Sequence, residues 1–114
     1  MAVIPYTITP NPDARSFVVK WLLVTENDTC AAVQLPAYPD RSVQVTGTFG
    51  SATVLIKGSN DGTTYATLNN PADAALSFTA TGLEGIAEAT AYLQPSISGG
   101  TSQSLNIYVN MVAA

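Results

Sequence analysis

The chain has 114 residues, 46% of them hydrophobic and only 11% charged, with a net charge of −4. One hydrophobic core is the expected organisation at this size, and its few cations, scattered as Arg15, Lys20, Arg41 and Lys57, exclude the clustered surface that nucleic acid needs. Histidine is absent and Cys30 is the single cysteine, which removes Ser-His and Cys-His couples, the common zinc sites and any intrachain disulfide.

Residues 1–14 carry Pro5, Pro10 and Pro12 and read as an extended arm, because proline fixes φ and disfavours helix in the residue before it. Val3, Ile4, Tyr6 and Ile8 make this arm too apolar for a free tail, so it is expected to lie along a surface, its own or a neighbour's. Residues 15–114 read as a single β domain. The first residues lack a basic stretch followed by an apolar run, so no signal peptide is expected. The apolar stretch 17–24, interrupted by Lys20, falls far short of the ~20 residues of a membrane-crossing helix.

In that stretch Phe17, Val19, Trp21 and Leu23 alternate with Val18, Leu22 and Val24. A strand apolar on both faces is buried on both or lies at an interface. Glu26, Asn27, Asp28 and Thr29 compose a turn, and residues 31–35 a short strand stopped by Pro36 and Pro39. Residues 41–49 alternate cleanly, Val43 and Val45 on one side, Gln44 and Thr46 on the other. The strongest local signal is a β-rich run at 53–57, turn chemistry in Gly58, Ser59, Asn60, Asp61 and Gly62, and a second β-rich run at 63–68. This predicts a hairpin in which Gly62 takes a positive φ without steric cost.

Leu76, Ser77 and Phe78 make a further short strand. Residues 84–91 read as loop or short strand, since Gly85 and the like-charged pair Glu84 and Glu88 oppose a helix. Residues 92–97 return to β structure, with Pro95 marking an edge or a bulge. Leu105, Ile107, Val109 and Met111 alternate with Asn106, Tyr108 and Asn110 as a half-buried strand. About eight short strands without a long helix point to an all-β fold, a sandwich or a barrel.

Candidates for chemistry are few. Asn60, Asp61 and Asp73 offer oxygens to calcium but lack the regular carboxylate spacing, and hairpin chemistry already accounts for Asn60 and Asp61. Glu84 and Glu88 could serve glycoside hydrolysis only by facing each other across a cleft; solvated loop positions are the expectation. Cys30, near Glu26 and Asp28, is expected as a small buried thiol rather than a nucleophile. Trp21 belongs to the core or an interface, whereas Tyr38, Tyr65, Tyr92 and Tyr108 are the surface aromatics, a type common at protein interfaces. No enzyme, cofactor or metal constellation is expected.

The segment Val43-Gln-Val-Thr-Gly-Thr-Phe-Gly-Ser-Ala-Thr-Val-Leu-Ile-Lys-Gly-Ser-Asn-Asp-Gly-Thr-Thr-Tyr65, followed by Leu68, resembles a run in small structural proteins of tailed bacteriophages: V-x-G-x-F-G-x-A-T-V-x-L-x-G-S-N-D-G, then an aromatic and a Leu. Leu93-Gln-Pro-Ser-Ile-Ser-Gly-Gly100 is similar to the R-P-x-x-x-G-G strand and turn of the same proteins. Gln94 stands in place of Arg, and Tyr65 where that pattern more often has Trp. The likeness runs over residues 41–111, about two thirds of the chain.

This resemblance implies a head decoration, or cement, protein. Such a protein has a β-sandwich or jelly-roll body with extended terminal arms and is a homodimer or homotrimer. It binds the capsid exterior of the virion, clamps neighbouring major capsid protein subunits against internal DNA pressure, and is assembled in the host cytoplasm. No nucleic acid, membrane or cofactor is implied. On this reading Val3, Ile4, Tyr6 and Ile8 of the arm, with Tyr38 and Tyr108 of the body, are the expected partner-binding anchors. The alternatives are a tail or head-tail connector protein and a carbohydrate-binding module of a host-recognition fibre.

Overall fold

Period-two alternation along the chain becomes two sheets around one core. A computed structural model describes residues 2–12, 15–25, 27–34 and 38–113. Part of the turn expected at Glu26 and the end of the strand expected to reach Leu35 lie outside the described residues. Twelve strands follow in order: β1 (Ala2–Ile4), β2 (Thr7–Pro10), β3 (Ser16–Val24), β4 (Asp28–Cys30), β5 (Val33–Gln34), β6 (Asp40–Thr48), β7 (Thr53–Ser59), β8 (Ala66–Thr67), β9 (Ser77–Phe78), β10 (Gly82–Ile86), β11 (Tyr92–Ser98) and β12 (Ser104–Val112). The all-β expectation holds: no helix occurs among the described residues. The count exceeds the about eight expected because very short strands such as β5, β8 and β9 carry too few residues to show a period.

One sheet is antiparallel with the order β10-β6-β12-β3-β2, and the other has the order β5-β11-β7-β8, with β9 also pairing β7. A separate parallel pair joins β1 to β4, with Ile4 opposite Cys30. Leu105, Ile107, Val109 and Met111 of β12, Val43 and Val45 of β6, and Phe17, Val19 and Trp21 of β3 enter one core with Val54, Ile56 and Leu93 of the second sheet. Each large side chain so buried contributes roughly 1.5–3 kcal/mol relative to exposure. The Trp21 indole Nε1 donates to the Ala31 carbonyl at 2.9 Å, so its burial strands no donor. Arg41 is 4% exposed; its Nε donates to the Tyr38 carbonyl and its Nη1 to the Thr90 carbonyl, and burial lowers its pKa.

The apolar arm lies along its own chain. Strand β2 forms an edge of the five-stranded sheet, Thr7 opposite Lys20 and Pro10 opposite Phe17. An edge position suits Pro10, which has no N–H to give to a ladder. Between β1 and β2, Tyr6 sets its ring edge-on to Trp21, with centroids 6.2 Å apart. Pro95 also sits where an edge is open: β11 pairs with β7 along its length but with β5 only at Tyr92 and Leu93.

Strand β3 departs from the expected alternation at its end. Val24 lies opposite Leu105 and Trp21 opposite Ile107, so Leu22 and Leu23 share the place facing Asn106. This bulge returns Val24 to the core and turns Leu23 outward, reversing the faces that simple alternation predicts for both. Leu23 takes a φ of +58°, and its N–H donates to Asn106 Oδ1 at 3.1 Å.

Candidate functional site

Asp61, Glu84 and Glu88 each hold a loop, whereas Asp73 only accepts from Asn69 Nδ2 at 3.4 Å on the surface. Asp61 Oδ1 accepts from Ser59 Oγ at 2.7 Å and from the Thr63 and Thr64 N–H groups at 2.8 and 2.9 Å. The two backbone bonds and the Ser59 hydroxyl bring its pKa down to about 2. Asn60 Oδ1 accepts from the Ala91 N–H at 2.9 Å, tying the same loop to the approach to β11. Glu84 Oε1 accepts from Asn70 Nδ2 at 2.6 Å, and Glu88 Oε1 accepts from the Asn69 N–H at 2.8 Å. These two glutamates brace the turn after β8. Among the described residues no three His, Cys, Asp or Glu side chains group closely enough to hold a metal. The Cys30 thiol is buried and its pKa is pushed up to about 12, by burial first and by the Asp28 charge second.

The outer face of the five-stranded sheet is built in rows, because residues directly opposite on paired strands share a face. Leu83, Gln44, Tyr108, Lys20 and Thr7 form one row from edge to edge. Gly85, Ser42, Asn110, Val18 and Thr9 form the next. Val18, Lys20, Ser42, Gln44, Leu83, Tyr108 and Asn110 line a depression of about 300 Å³. Lys20 is the only ionisable group in that lining apart from the phenol of Tyr108. Leu83 rises at one margin, 66% exposed, and the bulge sets Leu22 and Leu23 on the same sheet at 44% and 68%. A second groove of about 290 Å³ on the other sheet is more polar, lined by Lys57, Gln94, Ser96 and Asp28 among others, with Tyr65 its one aromatic.

The six expected anchors do not gather in one place. Val3 and Ile8 are exposed, at 68% and 47%. Ile4, Tyr6 and Tyr38 pack against the chain's own core, and the Tyr38 ring meets Phe17 edge-on with centroids 4.6 Å apart. Tyr108 sits half-buried in the middle of the outer-face depression. Reasoning from sequence did not single out Leu22, Leu23 or Leu83, although a strand apolar on both faces already signalled an interface around the first two. What the arrangement offers is contact area: apolar side chains, two amides in Gln44 and Asn110, and one ammonium.

No protein-family model matches the chain, and no curated protein matches it. Among solved structures, the SPBc2 prophage-derived protein YomS superposes with a TM-score of 0.66 at 10% identity, over 86% of this chain and 95% of YomS. The PBSX exported protein XepA superposes with a TM-score of 0.65 at 13% identity, over 86% of this chain but only 38% of XepA. The chain thus spans well under half of the longer XepA. At such identities the likeness is one of fold: this chain and nearly the whole of YomS share one β architecture.

Proposed function

We propose that the chain is a structural virion protein of a tailed bacteriophage, a head decoration protein that binds the outside of the shell and clamps neighbouring major capsid subunits. It acts by contact rather than by catalysis. The observation that carries this reading is the apolar surface: in a chain with 11% charged residues, Val3, Ile8, Leu22, Leu23 and Leu83 all stay exposed. Single exposed apolar residues are ordinary, but Leu22 and Leu23 are adjacent on β3 and Val3 and Ile8 share the arm. The fold shared with a prophage-derived protein and the Gly-Ser-Asn-Asp-Gly resemblance support the viral setting.

Val3 and Ile8, on the β1 and β2 arm, are the residues assigned to the major capsid protein. Ile4, Tyr6 and Tyr38 serve the same contact indirectly, by pinning the arm and the entry to β6 against the core. An interface of ~1,600 Å² reaches useful affinity only where its anchors are good, and repeated contacts then multiply. Stoichiometric co-sedimentation of the purified protein with undecorated heads tests the proposal. The double variant Val3→Asp with Ile8→Asp is expected to lose that binding with an unchanged circular dichroism spectrum. Wild-type protein that ignores heads and labels tails, or binds immobilised glycans, overturns the shell assignment.

A further inference from the structure

The bulge at Leu23 serves the core through Val24, but the leucine side chain it places at a strained φ adds nothing to that core. A left-handed φ of +58° suits glycine or asparagine better than leucine, and the side chain held there is 68% exposed, with Leu22 beside it. Bulges re-aim side chains, and a backbone outlier at a surface points to a use. On the same sheet face lies the Tyr108 depression, whose volume of about 300 Å³ compares with the ~150 Å³ cavity that truncating one leucine opens in a packed core.

We propose that the outer face of the five-stranded sheet is a two-fold interface between two copies of this chain, in which the Leu22 and Leu23 knob of each copy fills the Tyr108 depression of the other. The knob follows Lys20 by two to three residues along β3, so knob and depression stand ~7–10 Å apart on one face. A two-fold axis lying in the plane of that face, midway between them, exchanges the two and forms both contacts at once.

Charge and area both suit a second copy. Lys20 is the only basic or acidic side chain in the lining, so two such faces meet without opposed clusters of like charge. Spaced ~4.8 Å and rising ~3.3 Å per residue, three strands of nine residues with edge strands of five and four present roughly 570 Å² per copy. Two copies together bury about 1,100 Å², above the ~1,000 Å² that a specific interface should clear.

The inference deepens the clamp reading above, which needs more than one copy per contact, but it is measured on isolated protein and so fails or holds separately from head binding. Sedimentation equilibrium at micromolar to millimolar concentration is expected to show a dimer. Leu23→Gly relieves the strained φ, so the variant stays folded, with an unfolding midpoint in the monomer range at or above that of wild type, while its dimer dissociation constant rises at least tenfold. Tyr108→Ala weakens the dimer similarly. A mixture of the two variants is expected to form heterodimers tighter than either homodimer, because one knob and one depression remain intact and meet. A wild-type monomer throughout that range, a dimer indifferent to both variants, or mixing without rescue overturns the proposal.

Discussion

At Cys30, burial decides chemistry. The reacting species of cysteine is the thiolate, and a pKa pushed up to about 12 leaves almost none of it near neutrality. The folded protein is therefore expected to leave an aromatic disulfide reagent unreacted at pH 8, with one equivalent reacting after denaturation. Rapid stoichiometric labelling of the native protein contradicts this. The folded pKa lies above the unfolded value of ~8.5, so the thiol's contribution to stability is complete below that pH and declines as pH climbs towards 12. Asp61 has the opposite sign. Its folded pKa of about 2 lies below the ordinary ~3.9, so its contribution is complete above that ordinary value and lost as pH falls through 2. Asp61→Ala should lower the thermal midpoint at pH 7, and the gap to wild type should close on acidification to pH 2. A gap that ignores pH assigns the loss to something other than the carboxylate.

Strands and turns show which signals are local. Gly50 and Gly99 both take a positive φ, but a Cβ at Gly50 would collide with the Thr101 carbonyl oxygen, whereas one at Gly99 meets nothing within 4 Å. Gly99→Ala is expected to cost only the backbone strain, roughly 1–2 kcal/mol. Gly50→Ala should cost clearly more by urea unfolding, because the turn carrying Thr101 has to move; equal losses would refute the steric argument. Strand β12 was legible because its four buried residues keep strict period two, and Tyr108 was legible as outward-facing for the same reason. The Ser59 to Gly62 loop was legible because its clamp lies within six residues of sequence, from Ser59 to Thr64. The bulge was not. Leu22, Leu23 and Val24 are three apolar residues in succession with no phase marker, and the Asn106 side chain that holds Leu23 is 83 residues away. The parallel β1 and β4 pair and the bracing by Glu84 and Glu88 likewise depend on partners brought close only by the finished fold. The candidate surface was therefore half readable: Tyr108 and the arm from pattern, the leucine knob and Leu83 only from the structure.

For the whole molecule, the two apolar regions have different jobs and should fail differently. On the two proposals, Val3 and Ile8 of the arm edge meet the shell, while the sheet face joins two copies. Deleting residues 1–12 cannot separate them, since it also removes β2 from the sheet and Tyr6 from Trp21; point variants can. A dimer engages the shell twice, and the second contact forms at an effective concentration set by the first, an advantage on the order of 10²–10⁴ in apparent affinity. Leu23→Gly should therefore still decorate heads but with apparent affinity lower by about that factor, whereas Val3→Asp with Ile8→Asp should not decorate at all. Because only four cations and eight acids are present, neither surface depends on long-range charge, and screening acts mainly on such charge. Raising salt from about 0.05 to 0.5 M should thus shift wild-type head binding by less than about threefold, against the orders of magnitude expected of a surface that binds through many ion pairs. Titrating heads with wild-type protein and both variants at the two salt concentrations measures all of this in one experiment. A steep salt slope, or a Leu23→Gly curve that overlays the wild-type one, would show that the clamp does not work through two joined apolar contacts.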